Sequence, residues 1–117
     1  MTSLQDIATA IKHAESVLIC GHIMPDGDCL GSVLALGLSL EAMGKRVIMA
    51  SPDPVPALYD FLPGVDRFHI GEPPVDNFET IIILDCSVPQ RLGKGYQDLL
   101  DLDYVIINID HHAGPGL

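Results

Sequence analysis

Four short apolar runs punctuate the chain. SVLIC (Ser16–Cys20), RVIMA (Arg46–Ala50), TIIILD (Thr80–Asp85) and YVIINID (Tyr104–Asp110) are each apolar through their centres. Such runs predict strands buried on both faces, as in a parallel sheet. Helical spacing fills the intervals. Leu4, Ile7, Ala8, Ile11 and Ala14 share one face of an amphipathic helix over residues 3–15, and Ser3 with Asp6 resembles a capping box at its start. The long apolar stretch from Cys29 to Met43 predicts a helix buried on nearly all sides, ended by Gly44. Gly31 and Gly37 within it suit close packing of helix on sheet. A short helix is expected over 56–62, before Pro63-Gly64, and another in YQDLLDL (Tyr96–Leu102). Residues 65–79 show no clear period, although RFHI (Arg67–Ile70) suits a brief strand. Strands alternating with helices predict an α/β fold, three layers deep, with a mainly parallel sheet.

Composition narrows the class. The 117 residues suit one domain, and a 48% hydrophobic content rules out disorder as the default. No apolar run approaches the roughly 20 residues of a membrane span. The N-terminal stretch has neither a basic n-region nor an apolar h-region, so a cytoplasmic protein that does not engage membranes is expected. Three cysteines without a CxxC pair argue against a disulfide framework or a zinc ribbon, and read as buried thiols. The net charge of −10 does not fit a protein that grips long duplex nucleic acid through its phosphates.

The polar residues carry the chemistry once they are placed on these elements. The first strand is followed by His22, Asp26 and Asp28, the TIIIL strand by Asp85, and the last strand by Asp110, His111 and His112. In a parallel sheet these ends share one edge, where ligands of open α/β sheets bind. Locally, Asp26-Gly27-Asp28 reads as a turn, with Gly27 bending the backbone, and Asp85 reads as a helix cap. The ordered set is different. Four carboxylates and three imidazoles in one crevice repel unless cations are present. Carboxylate and imidazole donors suit Mn²⁺ or Mg²⁺, with Zn²⁺ or Fe²⁺ also open. Two such ions about 3.5–4 Å apart are common apparatus for phosphoester hydrolysis. Ser32 lies outside any GxSxG elbow, Cys86 lacks an activating neighbour, and His13 and His69 read as surface or packing residues.

HIMPDGDCLGS, LDCSVPQRLG and IDHH together resemble the first three motifs of the DHH family of phosphoesterases. That superfamily includes RecJ-like exonucleases, family II pyrophosphatases and cyclic-dinucleotide phosphodiesterases. The resemblance is strongest to the oligoribonucleases that also dephosphorylate 3′-phosphoadenosine 5′-phosphate (pAp). It implies a hydrolase with two Mn²⁺ ions, acting on short RNA or nucleotides. His22 and Asp26 would bind the first ion, Asp28 and His111 the second, and Asp85 would bridge them. His112 would face the scissile phosphate, and Asp110 would orient a histidine. Arg91 is either a further catalytic candidate or a salt bridge that holds its loop.

The family also carries a fourth motif, with another ligating aspartate, and a C-terminal substrate-binding domain. Neither lies within these residues. The expectation is therefore an N-terminal catalytic part of a longer enzyme, with a weakened second metal site. Exposed apolar surface would then favour self-association, such as a homodimer. An inactive metal-binding or self-associating fragment is the non-enzymatic alternative. A pyrophosphatase or cyclic-dinucleotide hydrolase shares the same metal core.

Overall fold

The computed structural model describes residues 3–74, 77–113 and 117. Five strands form one sheet: β1 (Ser16–Cys20), β2 (Arg46–Ser51), β3 (His69–Ile70), β4 (Thr80–Leu84) and β5 (Val105–Ile109). Their order is β3-β2-β1-β4-β5, and every pairing is parallel. The helices are α1 (Leu4–His13), α2 (Gly27–Ala42) and α3 (Lys94–Leu99).

Strand alternation divides the core into two faces. Val17 and Ile19 of β1, with Ile82 and Leu84 of β4, pack against α2 and the inner side of α1. Leu18, Cys20, Ile81 and Ile83 point the other way, towards Leu92 and Tyr96 of the α3 segment. Helix, sheet and helix thus make the three layers. Ile19, Leu30, Ile82 and Ile83 are fully enclosed.

Local chemistry explains the element ends. Ser3 Oγ accepts from the Asp6 N–H at 3.1 Å, and Asp6 Oδ2 accepts from the Ser3 N–H at 3.4 Å, which completes the expected capping box. Gly44, at φ +87°, turns the chain out of α2 in the left-handed conformation that favours glycine. Gly37 also packs as expected, since an added Cβ would lie 2.6 Å from Met49 Sδ of β2.

Several elements differ from the sequence reading. α2 starts at Gly27 rather than Cys29, because Asp26 caps it: its Oδ1 accepts from the Cys29 N–H at 2.9 Å. Gly27 is therefore the first helical residue and not a tight turn. An added Cβ there would approach Tyr59 Cε1 to 3.2 Å. Gly31 meets nothing within 4 Å of an added Cβ, so it makes no close packing. α2 also exposes one side, at Ala35, Leu38 and Ser39. The helix expected over 56–62 is only a 3-10 turn at Ala57–Tyr59, with a second turn at Val65–Arg67. Prolines at 56 and 63 leave too few residues for a stable α-helix. The helix expected over 96–102 lies earlier, at 94–99.

Candidate metal centre

Strand order makes the site. From β1 the chain crosses to β2 on one side, whereas β4 leads to β5 on the other. The carboxyl ends of β1 and β4 therefore flank the switch point, where a crevice opens. His22 follows β1 there and Asp85 follows β4. Both are buried, at 4% and 6% exposure.

His22 is oriented by its own loop. Its Nδ1 lies 2.6 Å from the Ile23 carbonyl, a geometry that places the proton on Nδ1. The Nε2 lone pair then faces Asp85 Oδ2 at 3.4 Å and Asp26 Oδ1 at 3.8 Å. These gaps are too long for good hydrogen bonds. Two donors that share an ion at about 2.1 Å each stand about 3.0–3.4 Å apart, which the Asp85 gap meets and the Asp26 gap slightly exceeds. The buried lone pair and the two carboxylates thus form a cradle for a cation. Asp28 lies in the first turn of α2, where the helix dipole favours its charge.

Asp85 occupies the centre. Its φ is +58°, a left-handed conformation that Asp tolerates better than most residues. Its N–H donates to the Ile109 carbonyl at 3.1 Å. Its Oδ1 lies 2.8 Å from His111 Nε2, and Asp28 Oδ2 lies 2.9 Å from the same nitrogen. The bond to Asp85 pushes the His111 imidazole above its ordinary range, with the Asp28 charge assisting. A proton on His111 thus stands between two carboxylates, where a divalent cation would compete with it.

His112 turns to a different partner. Its Nδ1 bonds Asp110 Oδ1 at 2.5 Å, while Asp85 Oδ1 is 3.8 Å away. The two imidazole rings lie 4.5 Å apart, tilted by 35°. Arg91 Nη2 lies 3.2 Å from His22 Nδ1, but both atoms carry protons and no hydrogen bond joins them; the Arg91 carbonyl makes the tie, accepting from the Ile23 N–H at 2.6 Å. No acidic partner of Arg91 occurs among the described residues, so its contact is with the histidine loop.

All eight candidate residues therefore lie around one crevice. Ligating atoms of Asp85, Asp110, His111 and His112 lie within 4.8 Å of one another. The same holds for His22, Cys29 and Asp85. Burial pushes the Cys29 thiol up to about 11. The other donors around the crevice are carboxylate oxygens and imidazole nitrogens. That set fits Mn²⁺ or Mg²⁺ chemistry. An apolar groove of about 550 Å³, walled by Leu36, Leu84 and Ile109, opens beside Asp85 and His111. A larger cavity of about 700 Å³ sits at the opposite edge of the sheet. Its Lys45 Nζ already donates to the Lys12 and Ala14 carbonyls, so that cavity is a weaker candidate.

Sequence reasoning missed two neighbours. Cys29 comes within reach of the site because it lies under Gly21, where an added Cβ would stand 2.1 Å from its sulfur. Asn108 donates through Nδ2 to the carbonyls of Cys86 at 3.0 Å and Ile83 at 3.3 Å. A lone amide inside the apolar VIINI run was the available signal.

The chain resembles known proteins in sequence and fold. The family profile described as "DHH family, N-terminal domain" matches residues 16–117. The chain is 32% identical over 108 residues to a bifunctional oligoribonuclease and PAP phosphatase NrnA of Thermus thermophilus, covering 92% of this chain and 31% of that protein. It is 28% identical over 112 residues to the protein of the same name from Mycoplasma genitalium, covering 94% and 34% respectively. The chain thus spans about a third of the length of these relatives. An exopolyphosphatase-related protein from Bacteroides fragilis has a similar fold, with a TM-score of 0.85 and 23% identity over 98% of this chain and 38% of that one. Among the described residues, no helix is long and apolar enough to cross a membrane.

Proposed function

This chain belongs to the DHH family, and we propose that it is the metal-binding catalytic part of a Mn²⁺-dependent phosphoesterase acting on short oligoribonucleotides and pAp. The observation that carries the reading is the buried His22 Nε2, facing Asp85 and Asp26 across gaps of 3.4 and 3.8 Å. The names of the Thermus and Mycoplasma relatives support the substrate class. In this reading His22, Asp26 and Asp85 hold one ion, and Asp28, Asp85 and His111 hold a second.

Divalent ions bound there supply water activation and neutralise phosphate charge. The protein's own side chains do the rest. The Ile23 carbonyl fixes the His22 tautomer, and Asp85 presents one oxygen to each side of the crevice. Asp110 keeps the His112 proton on Nδ1 and so sets the ring's orientation. As an imidazolium, His112 also carries an Nε2 proton, which can bond a phosphate oxygen or pass to the leaving oxygen. Arg91 steadies the His22 loop and adds positive charge at the rim.

The test is phosphate release from pAp, and nucleotide release from a diribonucleotide, by the purified protein with and without Mn²⁺. Metal-dependent turnover that disappears in Asp85→Ala is expected. Turnover without metal, or wild-type turnover in Asp85→Ala, contradicts the reading. Preference for inorganic pyrophosphate or a cyclic dinucleotide would assign a different substrate to the same centre.

A further inference from the structure

Asn108 is the only polar side chain within β5. Both partners of its Nδ2 are carbonyls, so the NH₂ group and not the amide oxygen must face them. Its two protons match the two acceptors. The carbonyls belong to Ile83 and Cys86, which flank Leu84 and Asp85. Between them the chain takes the left-handed turn at Asp85, a conformation that persists only where its surroundings enforce it. The neighbouring residue of β5 adds a third restraint, because the Ile109 carbonyl accepts from the Asp85 N–H. The Cys86 thiol points to the Val88 carbonyl at 3.3 Å and does not compete for the amide.

We propose that Asn108 is a positioning residue for the metal centre: by donating to the Ile83 and Cys86 carbonyls it locks the turn that aims the Asp85 carboxylate at His22 and His111. The inference rests on the metal-binding reading only for its affinity readout. A purely structural amide would satisfy two buried carbonyls and affect stability alone. A positioning amide also governs where Asp85 points.

The experiment is a metal-free crystal structure of Asn108→Ala, with Mn²⁺ titration by calorimetry at a temperature where circular dichroism shows it folded. Asp85 is expected to leave the left-handed region, or its carboxylate to leave His111 Nε2. The Mn²⁺ dissociation constant should rise by roughly 10–100-fold. Asn108→Asp, of the same shape but without donors, should weaken binding at least as much. Asn108→Ser keeps one donor and should fall between. It carries the same two readouts if the alanine variant does not fold. The proposal is overturned if Asp85 keeps its φ and its contact with His111, or if Asn108→Asp binds Mn²⁺ as the wild type does. Lost stability with both readouts unchanged overturns it as well. If the wild type itself binds no Mn²⁺, the metal reading fails instead, and the crystal structure alone decides the role of Asn108.

Discussion

Gly21→Ala tests whether three segments of the site depend on one close contact. Gly21 joins β1 to His22. A Cβ added there would lie 2.1 Å from Cys29 Sγ and 3.2 Å from the Leu84 carbonyl oxygen. Cys29 sits in the first turn of α2, next to Asp28, and Leu84 precedes Asp85. One methyl group would therefore push apart the elements that carry His22, Asp28 and Asp85. Both contacts are buried, so relief requires the Cys29 sulfur to leave its packed rotamer or the backbone to move. Overpacking of this kind costs about 1–3 kcal/mol. At this chain length 1 kcal/mol moves Tm by roughly 4 °C, which gives a drop of about 4–12 °C. Cys29→Ala alone removes one buried sulfur and should cost about 1 kcal/mol. In the double variant the clash with sulfur is gone, and the new Cβ meets Cys29 Cβ at an ordinary 3.7 Å. The double variant should then be at least about 1 kcal/mol more stable than the sum of the two single losses. The assay is urea unfolding in chelator, followed by circular dichroism because the chain has no tryptophan. A Gly21→Ala variant within about 0.5 kcal/mol of wild type, or strict additivity in the double variant, refutes the reasoning.

Other perturbations separate roles that coincide at single residues. Asp26 is both the cap of α2 and a candidate ligand, so Asp26→Ser should keep stability within about 0.5 kcal/mol while weakening Mn²⁺ binding. Asp26→Ala should lose both, with about 1 kcal/mol for the cap; equal Mn²⁺ affinity in the serine variant and wild type contradicts the ligand role. Mn²⁺ at about 100 times its dissociation constant should stabilise the protein by about 2.7 kcal/mol, or roughly 11 °C in Tm. Asp85→Ala should abolish that shift, and a shift of wild-type size would remove Asp85 from the site. Glu79 lies far from the crevice and gives a pH signature. Its carboxylate accepts from the Glu15 N–H at 2.6 Å, and from Ser16 more weakly, which holds it below its ordinary range. Its contribution is therefore complete above the unfolded pKa of about 4.3 and fades as pH falls through the lower folded value. The stability gap between wild type and Glu79→Gln should be constant near neutrality and close in acid, and a gap that widens in acid contradicts the assignment.

The legible part of this fold was the part governed by burial. β1 and β4 read as continuous apolar runs because the central strands are covered on both faces, whereas β5 reads the same way although it is an edge strand with Val105 and Ile109 exposed; the Ser3–Asp6 box was legible from spacing alone. Convergence of His22, Asp85 and His111 followed from topology, since equivalent ends of parallel strands meet at one edge. Pairing within the crevice was not legible. That Asp28 meets His111 while Asp110 meets His112 depends on side-chain directions at a helix start and a strand end. The left-handed turn at Asp85 carried no glycine to announce it, and its restraint by Asn108 involves a residue 23 positions away whose type is unremarkable in isolation. Residues 56–62 failed for a simpler reason: proline spacing resembled helix punctuation, but the segment is too short to propagate.

Divalent cations bound by these side chains at the sheet's switch point would appear in an anomalous difference map at the manganese edge, from crystals grown with Mn²⁺. Density is expected between His22, Asp26 and Asp85, with a second, weaker peak between Asp28, Asp85 and His111. A map with no peak within coordination distance of Asp85 contradicts the metal-binding reading.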